Sequence, residues 1–136
     1  MHRRDLFIGG AWTPPAGGGY LDVISPSTES AVGSVPDATA PDIDRAVTAA
    51  RTAFDTGPWP RMTPAERADI LDRAANELRQ RTDAIAGVTV DEMGCAISQA
   101  PQAQTGLTAV LFDYYASLAR EYEFERVVTS GARRGW

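Results

Sequence analysis

The chain has 136 residues and a net charge of −5 at pH 7, with 43% hydrophobic and 23% charged residues. These values are typical of one globular domain, and the acidic balance argues against nucleic acid, whose binding needs a concentrated basic face. All thirteen basic residues are arginines, which excludes Schiff-base chemistry and a phosphate loop with its lysine. A single histidine, His2, and a single cysteine, Cys95, exclude a disulfide framework and a zinc site with several His or Cys ligands.

The opening of the chain, residues 6–36, has the pattern of short strands and turns. Residues 6–8 and 20–24 are β-type runs, and the prolines and glycines between them predict a loop that joins two antiparallel strands. Residues 31–35 are predicted to be a third strand that ends at Pro36. We therefore expect a β-hairpin with one further strand.

Residues 39–122 are predicted to form a helical layer of four amphipathic helices. The first starts at Thr39, which can cap a helix, and ends at Gly57. The second starts with a capping box in which the Thr63 hydroxyl and the Glu66 carboxylate satisfy each other's backbone donors. The third runs from Thr82 to a stop at Gly94. The fourth starts within residues 98–101 and runs through residues 120–121.

Apolar residues at helical spacing form a stripe on each helix. Such helices are stable only when their stripes are covered, either by one another or by a larger structure. The stripes of the first and fourth helices are Ile43, Ala46, Val47, Ala50 and Phe54, and Leu107, Val110, Leu111, Tyr114 and Leu118. The fold class is thus α+β, and the elements form either a modest core of their own or one layer of something larger.

The sequence contains no signal for a membrane or for export. No apolar run approaches the roughly 18 to 20 residues that span a bilayer, and the opening residues lack the apolar region of a signal peptide. One unpaired cysteine fits a reducing compartment. We therefore expect a cytoplasmic location and no membrane partner.

Few residues are candidates for chemistry. Cys95 follows a helix end, where the dipole disfavours a thiolate, so a structural role is favoured over a nucleophilic one. Asp91 and Glu92, and the glutamates between residues 121 and 125, are interpreted as solvated faces rather than an acid–base pair. The aromatic group at residues 112–115 is interpreted as core. The glycines at 9–10 and 17–19 do not stand between a strand and a helix, and so do not predict a dinucleotide loop.

Six segments in order resemble the start of the aldehyde dehydrogenase superfamily. They include its "IGGxW" opening, its "AVxAAxxAF" helix and its "ERaxiL" motif, and they extend from about residue 6 to about residue 125. Cys95 stands where the family's "ExGK" segment has lysine. The segments are residues 6–12 (LFIGGAW), 22–29 (DVISPSTE), 46–54 (AVTAARTAF), 66–71 (ERADIL), 91–95 (DEMGC) and 113–116 (DYYA).

The resemblance implies the opening segment of an α/β cofactor domain. Family members are several times longer and oxidise aldehydes to carboxylic acids with NAD or NADP. Their catalytic cysteine, their catalytic glutamate and their glycine-rich cofactor turn lie downstream of the matched region, so no catalytic or cofactor-binding residue is assigned here. We expect neither NAD nor NADP to bind this chain alone.

The resemblance also implies one minor site and an unusual end. Some family members bind a structural monovalent cation, and the corresponding positions here are Val23, Ile24 and Glu92. Carbonyl and carboxylate oxygens suit a hard cation. The alternative is that Glu92 is simply an exposed glutamate.

The tail, residues 123–136, ends in residues 132–136, which match no family motif. A truncated or frame-disrupted reading frame would explain this end.

Two hypotheses follow for residues 1–136. The first is a partial, inactive aldehyde dehydrogenase segment with exposed apolar helix faces that favour association or a homo-oligomer. The second is a stand-alone helical interaction module that docks on a full-length homologue or another partner. The first predicts poorly cooperative unfolding, and the second predicts a cooperative transition.

Overall fold

The computed structural model describes residues 4–126, which form four short strands and four α-helices. A 3₁₀ turn, Trp59–Arg61, follows the first helix, and a π-helical turn, Pro101–Gly106, runs directly into the fourth. The elements in chain order are β1 (Leu6–Ile8), β2 (Ala11–Thr13), β3 (Tyr20–Ile24), β4 (Ala31–Pro36), α1 (Ala40–Thr56), α2 (Pro64–Gln80), α3 (Thr82–Met93) and α4 (Leu107–Glu121).

The strands form two separate antiparallel hairpins, β1–β2 and β3–β4. The predicted pairing of residues 6–8 with residues 20–24 is therefore wrong. The strand predicted at residues 31–35 is confirmed as β4. Gly9 and Gly10 close the first hairpin with φ of 62° and 84°, and a two-residue hairpin turn needs positive φ at both central positions. The proline- and glycine-rich loop joins the two hairpins rather than the strands of one.

The helix ends follow the local signals of the sequence. Thr63 caps α2, since its hydroxyl accepts a hydrogen bond from the Glu66 backbone N–H and donates one to the Glu66 carboxylate. Gly94 ends α3 in the left-handed conformation with φ of 69°, as expected of a glycine at this position. The predicted starts of the first three helices and the stops at Gly57 and Gly94 are confirmed. The start predicted for the fourth helix, within residues 98–101, falls at the beginning of the π-helical turn rather than at Leu107, where α4 begins.

Helices α2 and α4 form the main packed unit, and they run antiparallel. Their contact surface is built from alanines, which let the two backbones approach closely. Ala68 and Ala75 of α2 and Ala109 and Ala116 of α4 are almost completely buried. Two ion-pair clusters flank them: Arg120 with Asp69 and Asp72, and Arg79 with Asp113. Exposed pairs of this kind contribute little stability singly.

The fold is open for its size. Large apolar side chains such as Phe7, Phe54 and Tyr114 are more than half exposed. Among the described residues, the buried apolar side chains are those of alanines and of Pro36. The apolar stripes of α1 and α4 are not covered within the described residues. Ile43, Val47 and Phe54 of α1, and Leu107, Val110 and Tyr114 of α4, are all more than half exposed.

None of the helices within residues 4–126 has the length and apolarity that crossing a bilayer requires.

Candidate functional site

The residues predicted to bind a cation lie on two segments that approach each other, Val23 and Ile24 on β3 and Glu92 on α3. A Cβ added to Gly94 would lie 2.7 Å from Pro26 Cγ, so the end of α3 approaches the turn that follows β3. Val23 and Ile24 end β3, where a β-bulge interrupts the ladder, and bulges leave backbone groups locally unpaired. Glu92 is exposed on the last turn of α3. The arrangement brings the predicted residues to neighbouring segments, and the cation itself stays a prediction.

The other candidates for chemistry are not assembled into a site. Cys95 is half buried and unpaired, and no group of three His, Cys, Asp or Glu residues in the described part of the chain could hold a metal ion. His2 lies outside the described residues. Tyr114 and Tyr115 stack edge to face on the outside of α4, so the interpretation of this aromatic group as core is wrong for these two residues.

Asp42 is the most connected carboxylate among the described residues. Its side chain is 1% exposed. It accepts hydrogen bonds from the Thr39 N–H, the Thr39 hydroxyl and the Ala16 N–H at 2.7–2.8 Å, and it pairs with Arg45. The hydrogen bonds from Thr39 and then Ala16 hold the pKa of Asp42 well below its ordinary value. The pattern Thr-x-x-Asp was the available signal, since it is a capping-box spacing.

The large apolar residues of α4 point away from α2. Leu107, Val110, Leu111, Tyr114 and Leu118 share one side of the helix, and we call this set the α4 stripe. Ala116 faces α2, and it is two residues, or roughly 200° of helix rotation, from Tyr114. Tyr114 is 58% exposed and Leu107 is 57% exposed. An apolar stripe of this size on a small chain indicates an interaction surface.

Residues 4–126 do not fit a dinucleotide cofactor. Nucleotide-binding α/β domains hold the pyrophosphate at a helix N-terminus that follows a parallel strand. Both sheets here are antiparallel. Strand β4 leads into α1, but the start of α1 holds the Asp42 carboxylate, and that negative charge would repel a phosphate.

The described architecture consists of two hairpins followed by a helical layer with uncovered apolar faces. A sequence model described as the aldehyde dehydrogenase family matches residues 12–135. The chain belongs to the aldehyde dehydrogenase family. The match begins later and ends later than the resemblance had indicated, and it includes most of the tail.

Individual relatives agree with this assignment. An aminoaldehyde dehydrogenase from Zea mays is 40% identical over 120 residues, which are 86% of this chain and 24% of the relative. The crystal structure of an NAD-dependent aldehyde dehydrogenase from Sinorhizobium meliloti superimposes with a TM-score of 0.83 at 37% identity, over 90% of this chain and 24% of the other. An aldehyde dehydrogenase from Mycobacterium tuberculosis, complexed with NAD+, gives a TM-score of 0.83 at 36% identity, over 89% of this chain and 25% of the other. The chain thus spans about a quarter of the length of the relatives it matches.

Proposed function

We propose that this chain is the scaffold segment that opens the cofactor domain of an NAD- or NADP-dependent aldehyde dehydrogenase, and that it has no dehydrogenase activity by itself. One observation carries the proposal: the buried apolar residues among those described are alanines and Pro36, while most large apolar side chains of α1 and α4 stay exposed. A polypeptide that performs chemistry needs a rigid site supported by packed neighbours. The segment instead presents faces that a further layer would cover.

A direct activity assay tests the proposal. The purified chain is incubated with NAD or NADP and a panel of aliphatic, aromatic and amino aldehydes, and absorbance of the reduced cofactor is followed. No turnover above a buffer blank is expected. Turnover that co-purifies with the chain and disappears in the Cys95→Ala variant would refute the proposal, because Cys95 is the one thiol of the sequence.

A thermal transition separates the proposal from the interaction-module alternative. A scaffold segment with an alanine core should unfold over a broad temperature range and bind a hydrophobic dye before heating. An independent module should unfold sharply, with little dye bound in the native state. A sharp transition with no dye signal would favour the module.

We also propose a location, an association between copies and a cation site for this segment. A cytoplasmic location is supported by a sequence with a single unpaired cysteine, and association between copies is supported by the exposed stripes of α1 and α4. Val23, Ile24 and Glu92 are proposed to bind a monovalent cation in the assembled enzyme, supported by the approach of the end of α3 to the turn after β3.

A further inference from the structure

The π-helical turn Pro101–Gly106 leaves a buried hydroxyl without a hydrogen bond. Thr105 is 1% exposed, and its Oγ1 has no hydrogen-bond partner within the described part of the chain. A buried hydroxyl without a partner destabilises the folded state, and native structures contain few of them. This hydroxyl is therefore a source of strain in the turn.

The other helical threonines show which bond Thr105 lacks. Each threonine of α1, α3 and α4 donates a hydrogen bond to the carbonyl four residues back, as threonines in α-helices commonly do. For Thr105 that acceptor would be the carbonyl of Pro101. The observed bonds, at 2.6–3.3 Å, are Thr48 to Asp44, Thr52 to Thr48, Thr56 to Thr52, Thr82 to Leu78, Thr89 to Ile85 and Thr108 to Gln104.

The backbone register of the turn explains this difference. At the beginning of the turn, the Ala103 N–H donates to the Gln99 carbonyl, four residues back, at 2.9 Å. At its end, the Leu107 N–H donates to the Gln102 carbonyl, five residues back, which is the bonding pattern of a π-helix. An α-helical turn over the same residues would instead place the Pro101 carbonyl within reach of the Thr105 hydroxyl.

Packing on both sides of the turn opposes such a change. Helix α4 is held against α2 through Ala109 and Ala116, so a change of register must move the residues before the turn. One residue of helix corresponds to about 1.5 Å and about 100° of rotation. This displacement would take Ala100, which is completely buried, out of its packed position. The π register thus leaves a hydroxyl unsatisfied, whereas the α register unpacks a methyl group, and strained turns persist only where packing of this kind holds them.

We propose that residues 101–106 form a two-state element, in which the π-helical turn interconverts with an α-helical turn that satisfies the Thr105 hydroxyl through the Pro101 carbonyl. The moving part is the link of residues 95–100 between α3 and the turn. The far end of this link is fixed, because a Cβ added to Gly94 would lie 2.7 Å from Pro26 Cγ. The change of register therefore repositions residues 95–100 and leaves α4 packed on α2.

Two substitutions favour the two registers in turn. Gly106→Ala favours the α register, because alanine is the best helix former and because its Cβ in the π turn would lie 3.3 Å from the Pro101 carbonyl oxygen. Thr105→Val favours the π register, because it removes the hydroxyl that the α register satisfies and keeps the shape of the side chain. The matched controls lie in α3. They are Gly87→Ala, whose added Cβ meets no atom within 4 Å, and Thr89→Val, which removes a hydroxyl that already has its bond.

Saturation-transfer NMR on the backbone amides of the whole chain measures the population of a second state. We expect the wild type to have a minor state confined to residues 95–106. Gly106→Ala should raise the ratio of minor to major state about fivefold, the size of an ordinary glycine-to-alanine effect in a helix, and Thr105→Val should lower it. The proposal is overturned if neither the wild type nor Gly106→Ala has a second state, if that state extends over the whole chain, or if Gly87→Ala raises it equally.

The thiol of Cys95 gives a second readout, because this half-buried residue lies on the moving link. Its rate of alkylation by iodoacetamide should change in opposite directions in Gly106→Ala and Thr105→Val, and both control variants should keep the wild-type rate. Equal rates in all variants, or changes in the same direction in both turn variants, would overturn the proposal. Neither readout uses an aldehyde or a nucleotide, so these results leave the proposed function intact.

Discussion

The backbone N–H of Ala16 donates a hydrogen bond to Asp42 Oδ1 at 2.8 Å, across 26 residues of sequence. Arg45, which pairs with the same carboxylate, also donates to the carbonyl of Pro14 at 3.1 Å. The start of α1 is thereby joined to the loop between the two hairpins. The Asp42 carboxylate therefore both caps α1 and contacts the loop between the hairpins. Because of this contact, the position of the hairpins depends on the charge of Asp42.

Acid should release this contact. The pKa of Asp42 is lowered in the folded state from its ordinary value of 3.8, so the stabilisation is fully present above pH 3.8 and is lost as the pH falls from there through the lower folded-state value. Protection of the Ala16 and Thr39 amides in hydrogen exchange should decrease over that range. In Asp42→Ala, which has no side-chain acceptor, the same amides should be unprotected already at neutral pH. Equal protection in the variant and the wild type at pH 7 would contradict this role for the carboxylate.

The Thr63 cap should stabilise the first turn of α2 by an amount that is ordinary for a helix N-cap. Thr63→Ala removes the hydroxyl that accepts from the Glu66 N–H, and losing such a cap costs about 1 kcal/mol, or about fivefold faster exchange of the first helical amides. Exchange rates at residues 65–67 measure this directly. Thr63→Ser keeps the hydroxyl and is the control. If both substitutions accelerate exchange equally, the hydroxyl is not the cap.

Helix boundaries could be predicted from the sequence because their signals are local. Thr39, Thr63 and Gly94 each act within one turn of their own helix, so no knowledge of distant residues is needed. The strand pairing was harder, although one signal was available. Gly9 and Gly10 form a two-residue turn between apolar neighbours, which is itself a hairpin signature, but β2 has only three residues and lies below the length at which alternation is visible.

The face of α4 that packs could not be predicted from periodicity. The α4 stripe has the correct spacing for a buried face, and the structure instead buries the alanine side against α2. Periodicity shows which residues favour burial, but it does not show whether the covering partner is in the same polypeptide. The expected cation site shows a similar limit, since the contact of Gly94 with Pro26 depends on tertiary packing.

The alanine contact between α2 and α4 should not tolerate a larger residue. Ala116 is completely buried against α2, and overpacking of such a site typically costs 1–3 kcal/mol, so Ala116→Leu should lose about 2 kcal/mol. Guanidinium denaturation followed by helical circular dichroism measures the change. Ser117→Leu adds the same side chain at an exposed neighbour and should change stability by less than about 0.5 kcal/mol. Similar losses in both variants would show that the two helices do not pack through Ala116.

The proposed cation site gives a salt prediction that depends on one carboxylate. If Glu92 and the carbonyls of Val23 and Ile24 hold a monovalent cation, this chain should have a higher midpoint temperature of unfolding in sodium or potassium chloride than in choline chloride of equal ionic strength. Binding to the folded state alone stabilises it in proportion to the logarithm of ligand concentration. Glu92→Gln should remove the difference between the salts, and the neighbouring Asp91→Asn should retain it. A difference between salts that persists in Glu92→Gln would mean that the ions act elsewhere on the protein, and the site would have to be withdrawn.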